Sequence, residues 1–235
     1  MKKILFSLCV LLLVIALVGC SNNASSETPK NTASTNTPPT SSGSKSHGDG
    51  SKILITYFSR VGNTNFLDGV DAISSASLLV KNGVLVGNTQ YIADLIQQNI
   101  GGDMFLIKTS EKYPADYDKT VEQGKRENDE KARPVLASHV ENLDNYNVIF
   151  LGFPNWWYDM PMAVYSFLDE YDFSGKTIVP FCTSGGSGFS KSIDTIRKLE
   201  PRTTVLNGFT ARDSSMYNFS PDSVKNWLSG LYLPK

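Results

Sequence analysis

Apolar and polar residues fall into three regimes along the chain. From Ile4 to Val18 nearly every position is apolar; from Ser21 to Lys52 there is no Val, Ile, Leu, Met or aromatic residue; from Ile53 onward, short apolar runs alternate with segments of helical spacing. The run Lys52–Phe58 is short and almost continuous, which suits a parallel strand buried on both faces. Residues 88–100 then carry apolar side chains at 92, 95, 96 and 100, a helical spacing, with Asn88 or Thr89 as a suitable cap and Gly101-Gly102 as the stop. Met104–Ile107 reads as a second strand, the charged stretch Asp116–Arg133 as a surface helix, and Asn147–Gly152 as a third strand. A helix over Ala163–Tyr171, or from Pro161, leads to a fourth strand at Thr177–Cys182. A helix near Lys191–Leu199, a fifth strand at Thr203–Leu206 and a closing helix over Pro221–Leu231 follow. Pro180 removes a ladder donor from the fourth strand and reads as a bulge. Val80–Leu85 reads as a hairpin turning at Asn82-Gly83. Five strands alternating with helices predict a doubly wound α/β sandwich over residues 52–235, with ligands held beyond the carboxyl ends of the strands.

The first two regimes predict a targeting segment and a linker. Lys2 and Lys3 precede the apolar run, which is shorter than a membrane span, so residues 1–19 read as a secretory signal peptide. Leu17-Val18-Gly19-Cys20 resembles the lipobox of bacterial lipoproteins. That resemblance implies cleavage before Cys20, lipidation of its thiol, and a chain anchored to the extracytoplasmic face of the cell membrane; an ordinary secretory signal with an incidental Cys20 is the alternative. Residues 20–51 then form a lipidated cysteine and a Ser/Thr/Pro-rich disordered tether, whose random-coil reach is roughly 30 Å.

Charge and composition narrow the chemistry. A formal net charge of −1 leaves no basic footprint for nucleic acid. Only Cys182 and His139 remain in the folded part, so an internal disulfide, a histidine-dependent nucleophile and a histidine-rich metal site all lack material. Cys182 closes an apolar strand and reads as core packing.

The chemically interesting residues follow strands one, three and four. The first loop carries Ser59-Arg60, with Gly87-Asn88-Thr89 opening the helix beyond; hydroxyls, a helix N-terminus and a guanidinium suit a phosphate. The second, Pro154-Asn155-Trp156-Trp157-Tyr158, supplies aromatic walls for a planar ligand, and Asp159 just beyond it reads as exposed. The third, Thr183-Ser184-Gly185-Gly186-Ser187-Gly188, lets backbone approach a flat ring closely. Together they match FMN, which has a phosphate, a flat tricycle and a pyrimidine edge. Gly-Asn-Thr occurs twice, at 62–64 and 87–89. The helical pattern after the second copy assigns the phosphate to Asn88 and Thr89; with the first copy, Asn63 and Thr64 take their place.

These loops resemble the flavodoxin-like family, in a bacterial branch with an insertion in the phosphate loop, over roughly Lys52 to Lys235. The resemblance implies a flavodoxin-like three-layer sandwich with a five-stranded parallel sheet of order 2-1-3-4-5, and non-covalent FMN. It places the phosphate on Ser59, Arg60, Asn88 and Thr89, the ring along Pro154 to Trp157, and its pyrimidine end along Thr183 to Gly188. The flavin would carry the electron chemistry, and no residue stands out as a catalytic acid or base. The expected function is electron transfer or flavin-dependent reduction outside the cytoplasmic membrane, with a redox partner protein or a small-molecule electron acceptor. An NAD(P)H:quinone or small-molecule reductase and a non-enzymatic ligand-binding lipoprotein are the alternatives.

Overall fold

The structure is a computed structural model and describes residues 52–67 and 77–234. The signal peptide, Cys20 and the tether lie outside the described residues. No helix among the described residues is long and apolar enough to cross a membrane.

The chain runs β1 (Ile53–Tyr57), β2 (Leu78–Lys81), β3 (Val84–Gly87), α1 (Asn88–Ile100), β4 (Asp103–Leu106), α2 (Tyr117–Glu130), β5 (Val148–Pro154), α3 (Met162–Glu170), β6 (Thr177–Ser184), α4 (Ser192–Leu199), β7 (Thr204–Val205), β8 (Phe209–Arg212) and α5 (Pro221–Ser229). β2 and β3 form the expected hairpin, with Leu78 opposite Gly87 and positive φ at both Asn82 and Gly83, as a tight primed turn requires. The other strands form one sheet in the order β4-β1-β5-β6-β7, with β8 also beside β6, and every pairing in it is parallel. Counted along that sheet the order is the expected 2-1-3-4-5, with the fifth strand in two pieces.

Pro180 explains the two pieces, and the bulge expected there is not formed. Pairing of β6 with β5 runs unbroken from Thr177 to Thr183. On the other side, Thr204 donates to the carbonyl of Lys176 and Leu206 to that of Ile178, so the even-numbered peptide groups of β6 face the fifth strand. Pro180 therefore lacks an N–H on that side. β7 ends at Val205 and β8 begins at Phe209; between them Gly208 passes so close that a Cβ on it would stand 2.1 Å from the Pro180 carbonyl oxygen.

Residues alternate between the two faces of the sheet. Leu54, Phe58, Ile149, Leu151 and Cys182 pack with Ala163, Val164 and Phe167 of α3 and Ile196 of α4. Ile55, Tyr57, Phe150, Val179 and Phe181 pack with Ile92, Leu95 and Ile96 of α1 and Val224 and Leu228 of α5. The result is a three-layer α/β sandwich of flavodoxin-like fold. α1 starts one residue earlier than a side-chain cap would place it: Gly87 is the N-cap, and Asn88 and Thr89 are the first helical residues, their side chains turned to other partners. α2 is polar and buries only Thr120, Gly124 and Glu127, with Asp116 capping it through Lys119 N–H at 2.9 Å.

Candidate functional site

The loop after β1 is dense with buried polar groups. Asn63 makes four side-chain bonds: Nδ2 donates to the Ser59 and Ile107 carbonyls, and Oδ1 accepts from the backbone and hydroxyl of Thr109. It fastens the loop to the segment after β4. Arg60 is also buried; its guanidinium donates to the Pro114 and Ala115 carbonyls and to Thr120 Oγ1, and lies 5.2 Å from the Phe66 ring centre. Burial lowers its pKa. Ser59 Oγ and Thr64 Oγ1 are buried without a hydrogen-bond partner among the described residues.

The second Gly-Asn-Thr arrives at the same place from the hairpin. Gly87 rests on Ser59, where a Cβ would stand 1.9 Å from Ser59 Oγ. Asn88 N–H donates to the Ser77 carbonyl at 2.9 Å, so this amide of the helix terminus is already engaged. Its side-chain Nδ2 donates to Asp213 Oδ1 at 2.8 Å, and Thr89 Oγ1 shares a 2.9 Å hydrogen bond with Thr183 Oγ1.

In the loop after β5 the two tryptophans diverge. Trp156 packs edge-on against Phe58 and Tyr113, with Gly124 of α2 beneath it, where a Cβ would stand 3.2 Å from the ring. Trp157 and Tyr158 carry φ of 54° and 61° and reverse the chain between Trp156 and Asp159. Two non-glycine residues in the left-handed region store strain, a cost of order 1–3 kcal/mol each and a frequent mark of ligand loops. Trp157 is left half exposed, its Nε1 donating to the Val121 carbonyl at 3.0 Å. Asp159, expected at the surface, is buried. It pairs with Lys191 at 3.2 Å, accepts from Tyr165 at 2.7 Å, and accepts from the Met160 backbone N–H. A partnered carboxylate of this kind serves the turn.

The loop after β6 is fastened to the second: Asn155 N–H donates to Thr183 O at 2.7 Å and Asn155 Nδ2 to Gly188 O at 2.8 Å. Ser184 Oγ accepts from the backbone of Gly186 and Gly188, which leaves the Gly185–Ser187 edge facing outward. Gly186 and Gly188 take φ of 140° and 57°. Cys182 is buried, and burial pushes its thiol pKa up.

A cavity of about 330 Å³ lies where these loops meet. Arg60, Asn155, Trp156, Trp157 and Gly185 line it, as the sequence suggests, and a shallow hollow of about 400 Å³ continues past Tyr158, Gly186 and Ser187. Ser59, Asn88, Thr89, Thr183 and Ser184 do not line it: Asn88 bonds the lining Asp213, Thr89 bonds Thr183, and Ser184 holds Gly186 and Gly188, while Pro154 ends β5. The sequence does not point to the rest of the lining. Tyr117, Thr120 and Gly124 come from α2, whose polar sequence reads as surface. Ser77 precedes the hairpin, and Asp213, its pKa raised by burial, follows β8.

The family model of flavodoxin matches residues 77–231. The chain belongs to the flavodoxin family. Flavodoxin 1 of Salmonella typhimurium and flavodoxin 1 of Escherichia coli K12 are each 26% identical over 131 residues, 52% of this chain and 60% of theirs, so the match spans less than two thirds of those relatives. Among solved structures, a candidate flavoprotein from Bacteroides uniformis has a TM-score of 0.59 and 26% identity, covering 77% of this chain and 99% of its own. One from Bacteroides eggerthii has a TM-score of 0.57 and 28% identity, covering 77% and 97%. A Lactobacillus acidophilus flavoprotein, solved in complex with FMN, shares the fold at a TM-score of 0.51 and 20% identity, covering 72% and 97%.

Proposed function

We propose that this flavodoxin-family domain binds FMN and passes electrons through it, held at the outer face of the cytoplasmic membrane by a lipid on Cys20. The observation that carries the flavin reading is the meeting of three strand-end loops on one cavity with aromatic, cationic and glycine-rich walls. The residues fit the cofactor. Two buried hydroxyls, Ser59 Oγ and Thr64 Oγ1, have no hydrogen-bond partner among the described residues, and Ser59 lies against Gly87 at the α1 terminus, as an anion site requires. A wall of Trp156, Trp157 and Gly185 suits a flat ring.

FMN supplies the one- and two-electron chemistry. The chain supplies its surroundings. Ser59, Arg60, Asn88 and Thr89 hold the phosphate end. Pro154 to Trp157 flank the ring, with Trp156 fixed by Phe58 and Tyr113 and Trp157 facing solvent. Thr183 to Gly188 border the pyrimidine edge, kept in shape by Asn155 and Ser184. The partner is a redox protein or a small electron acceptor. The open hollow beside Tyr158 and Ser187 favours a second reading, a reductase in which a planar acceptor visits the flavin; steady NAD(P)H oxidation with a quinone would separate it from pure electron transfer.

The visible spectrum of the purified protein tests the cofactor. Oxidised-flavin bands that stay with the protein through desalting support it, and a colourless protein that leaves added FMN fluorescence unquenched refutes it. Replacing Cys20 with Ser tests the anchor: the protein should move from the membrane to the soluble fraction, and unchanged fractionation counts against lipidation.

A further inference from the structure

Asp213 opens the turn after β8, and its carboxylate reaches back to the first residue of α1. The amide it holds is only half satisfied. Asn88 Nδ2 donates to Asp213 Oδ1 at 2.8 Å, but Asn88 Oδ1 is buried with no hydrogen-bond partner among the described residues. An idle acceptor beside a carboxylate is an expensive arrangement in a site read as holding a phosphate, because the two anions would share one helix terminus.

The surroundings do not neutralise that charge. Asp213 takes part in none of the ion pairs among the described residues. From β6 it faces the Cys182 thiol, which it pushes further up. Across the cavity stand Arg60 and, from α2, Tyr117. Its neighbour Arg212 directs its guanidinium over Gly186, and α1 presents Asn88. Burial favours its protonated form, with the Asn88 bond opposing.

We propose that Asp213 is a positioning residue that couples uptake of one proton to capture of the flavin phosphate, by turning the Asn88 amide. As the phosphate enters, Asp213 takes a proton from solvent and donates its O–H to Asn88 Oδ1. The amide turns by half a rotation about its last side-chain bond, and Nδ2 is released to donate to the phosphate. No covalent bond changes other than the new O–H. Afterwards both ends of the amide are satisfied and the competing negative charge is gone. This rests on the FMN reading above.

FMN and riboflavin binding by the full chain, followed as flavin fluorescence quenching from about pH 5.5 to 8.5, tests it. The FMN phosphate itself titrates near pH 6, by analogy with phosphoserine, so the comparison is between the native chain and Asp213→Asn, which share that ligand effect. The native chain should lose FMN affinity as pH rises, by up to about tenfold per unit once Asp213 ionises. Asp213→Asn should bind FMN about tenfold more tightly than native at pH 8. Asp213→Ala, which cannot donate to Asn88 Oδ1, should fall between them, and riboflavin should bind all three alike. Parallel FMN profiles for native and Asp213→Asn would overturn the proposal, as would equal shifts for FMN and riboflavin. A failure of every form to bind FMN at any pH would instead remove the FMN reading, and this proposal with it.

Discussion

Asn63 and Asn88 occupy the middle of the same tripeptide, Gly-Asn-Thr, and both are almost wholly buried. Their neighbourhoods differ in kind. Asn63 spends its whole side chain on protein: two carbonyls, a backbone N–H and a hydroxyl. Its carbonyl accepts from Tyr113, whose ring meets Phe58 and Trp156, so the first copy underpins the aromatic floor of the cavity. The Asn88 side chain has one bond, to an acid, and an acceptor with no partner among the described residues, at a helix terminus. The Asn63 side chain is saturated and the Asn88 side chain is not. What separates the two asparagines is how far neighbouring chain has used up their hydrogen bonds, which suits Asn63 to stability and Asn88 to the proposed phosphate grip.

That contrast can be broken by experiment, most forcefully at Asn63. Replacing it with Ala strands buried donors and acceptors on both sides, and should lower unfolding free energy by about 4 kcal/mol, read by denaturant titration. A stable Asn63→Ala protein that loses FMN but keeps riboflavin would reverse the assignment and give the phosphate to the first copy. Trp156→Ala comes next: it removes a partly buried ring between Phe58 and Tyr113 and should cost about 3 kcal/mol. Trp157→Ala should cost under about 1 kcal/mol while weakening flavin binding. Equal stability losses would mean the turn does not divide the two rings as described.

Gly87→Ala should cost about 2 kcal/mol, since its methyl would meet Ser59 Oγ, and should weaken FMN as well because the two copies touch there. Asn88→Ala has the smallest expected effect on folding, within about 1 kcal/mol, and its signature lies in binding: roughly tenfold weaker FMN with riboflavin unchanged. Arg60→Ala should discriminate in the same direction.

The elements were readable wherever burial is local. Apolar runs located β1, β5 and β6, helical spacing located α1, and Asn82-Gly83 located the hairpin. Distant partners were not readable. Asp159 looks like a surface acid until Lys191 and Tyr165 are folded onto it. Asp213 sits in no motif, and only the folding of β8 beside β6 brings it to Asn88. Trp156 and Trp157 are indistinguishable by type, and their division depends on a left-handed turn that their identities disfavour. The helices of the cavity are legible as helices, but α2 gives no sign of its role, because the face it presents mixes Tyr117, Thr120, Val121 and Gly124 in a largely polar segment.

The broken fifth strand has a consequence for the chain's company. It lies at the border of the sheet, where a long straight strand would offer another polypeptide a row of free N–H and C=O groups. Here that border offers two residues, an interruption at Gly208 forced by Pro180, and then four more. Such a frontier is too short and irregular to template edge-to-edge stacking, so the same proline that divides the strand also guards the sheet against aggregation.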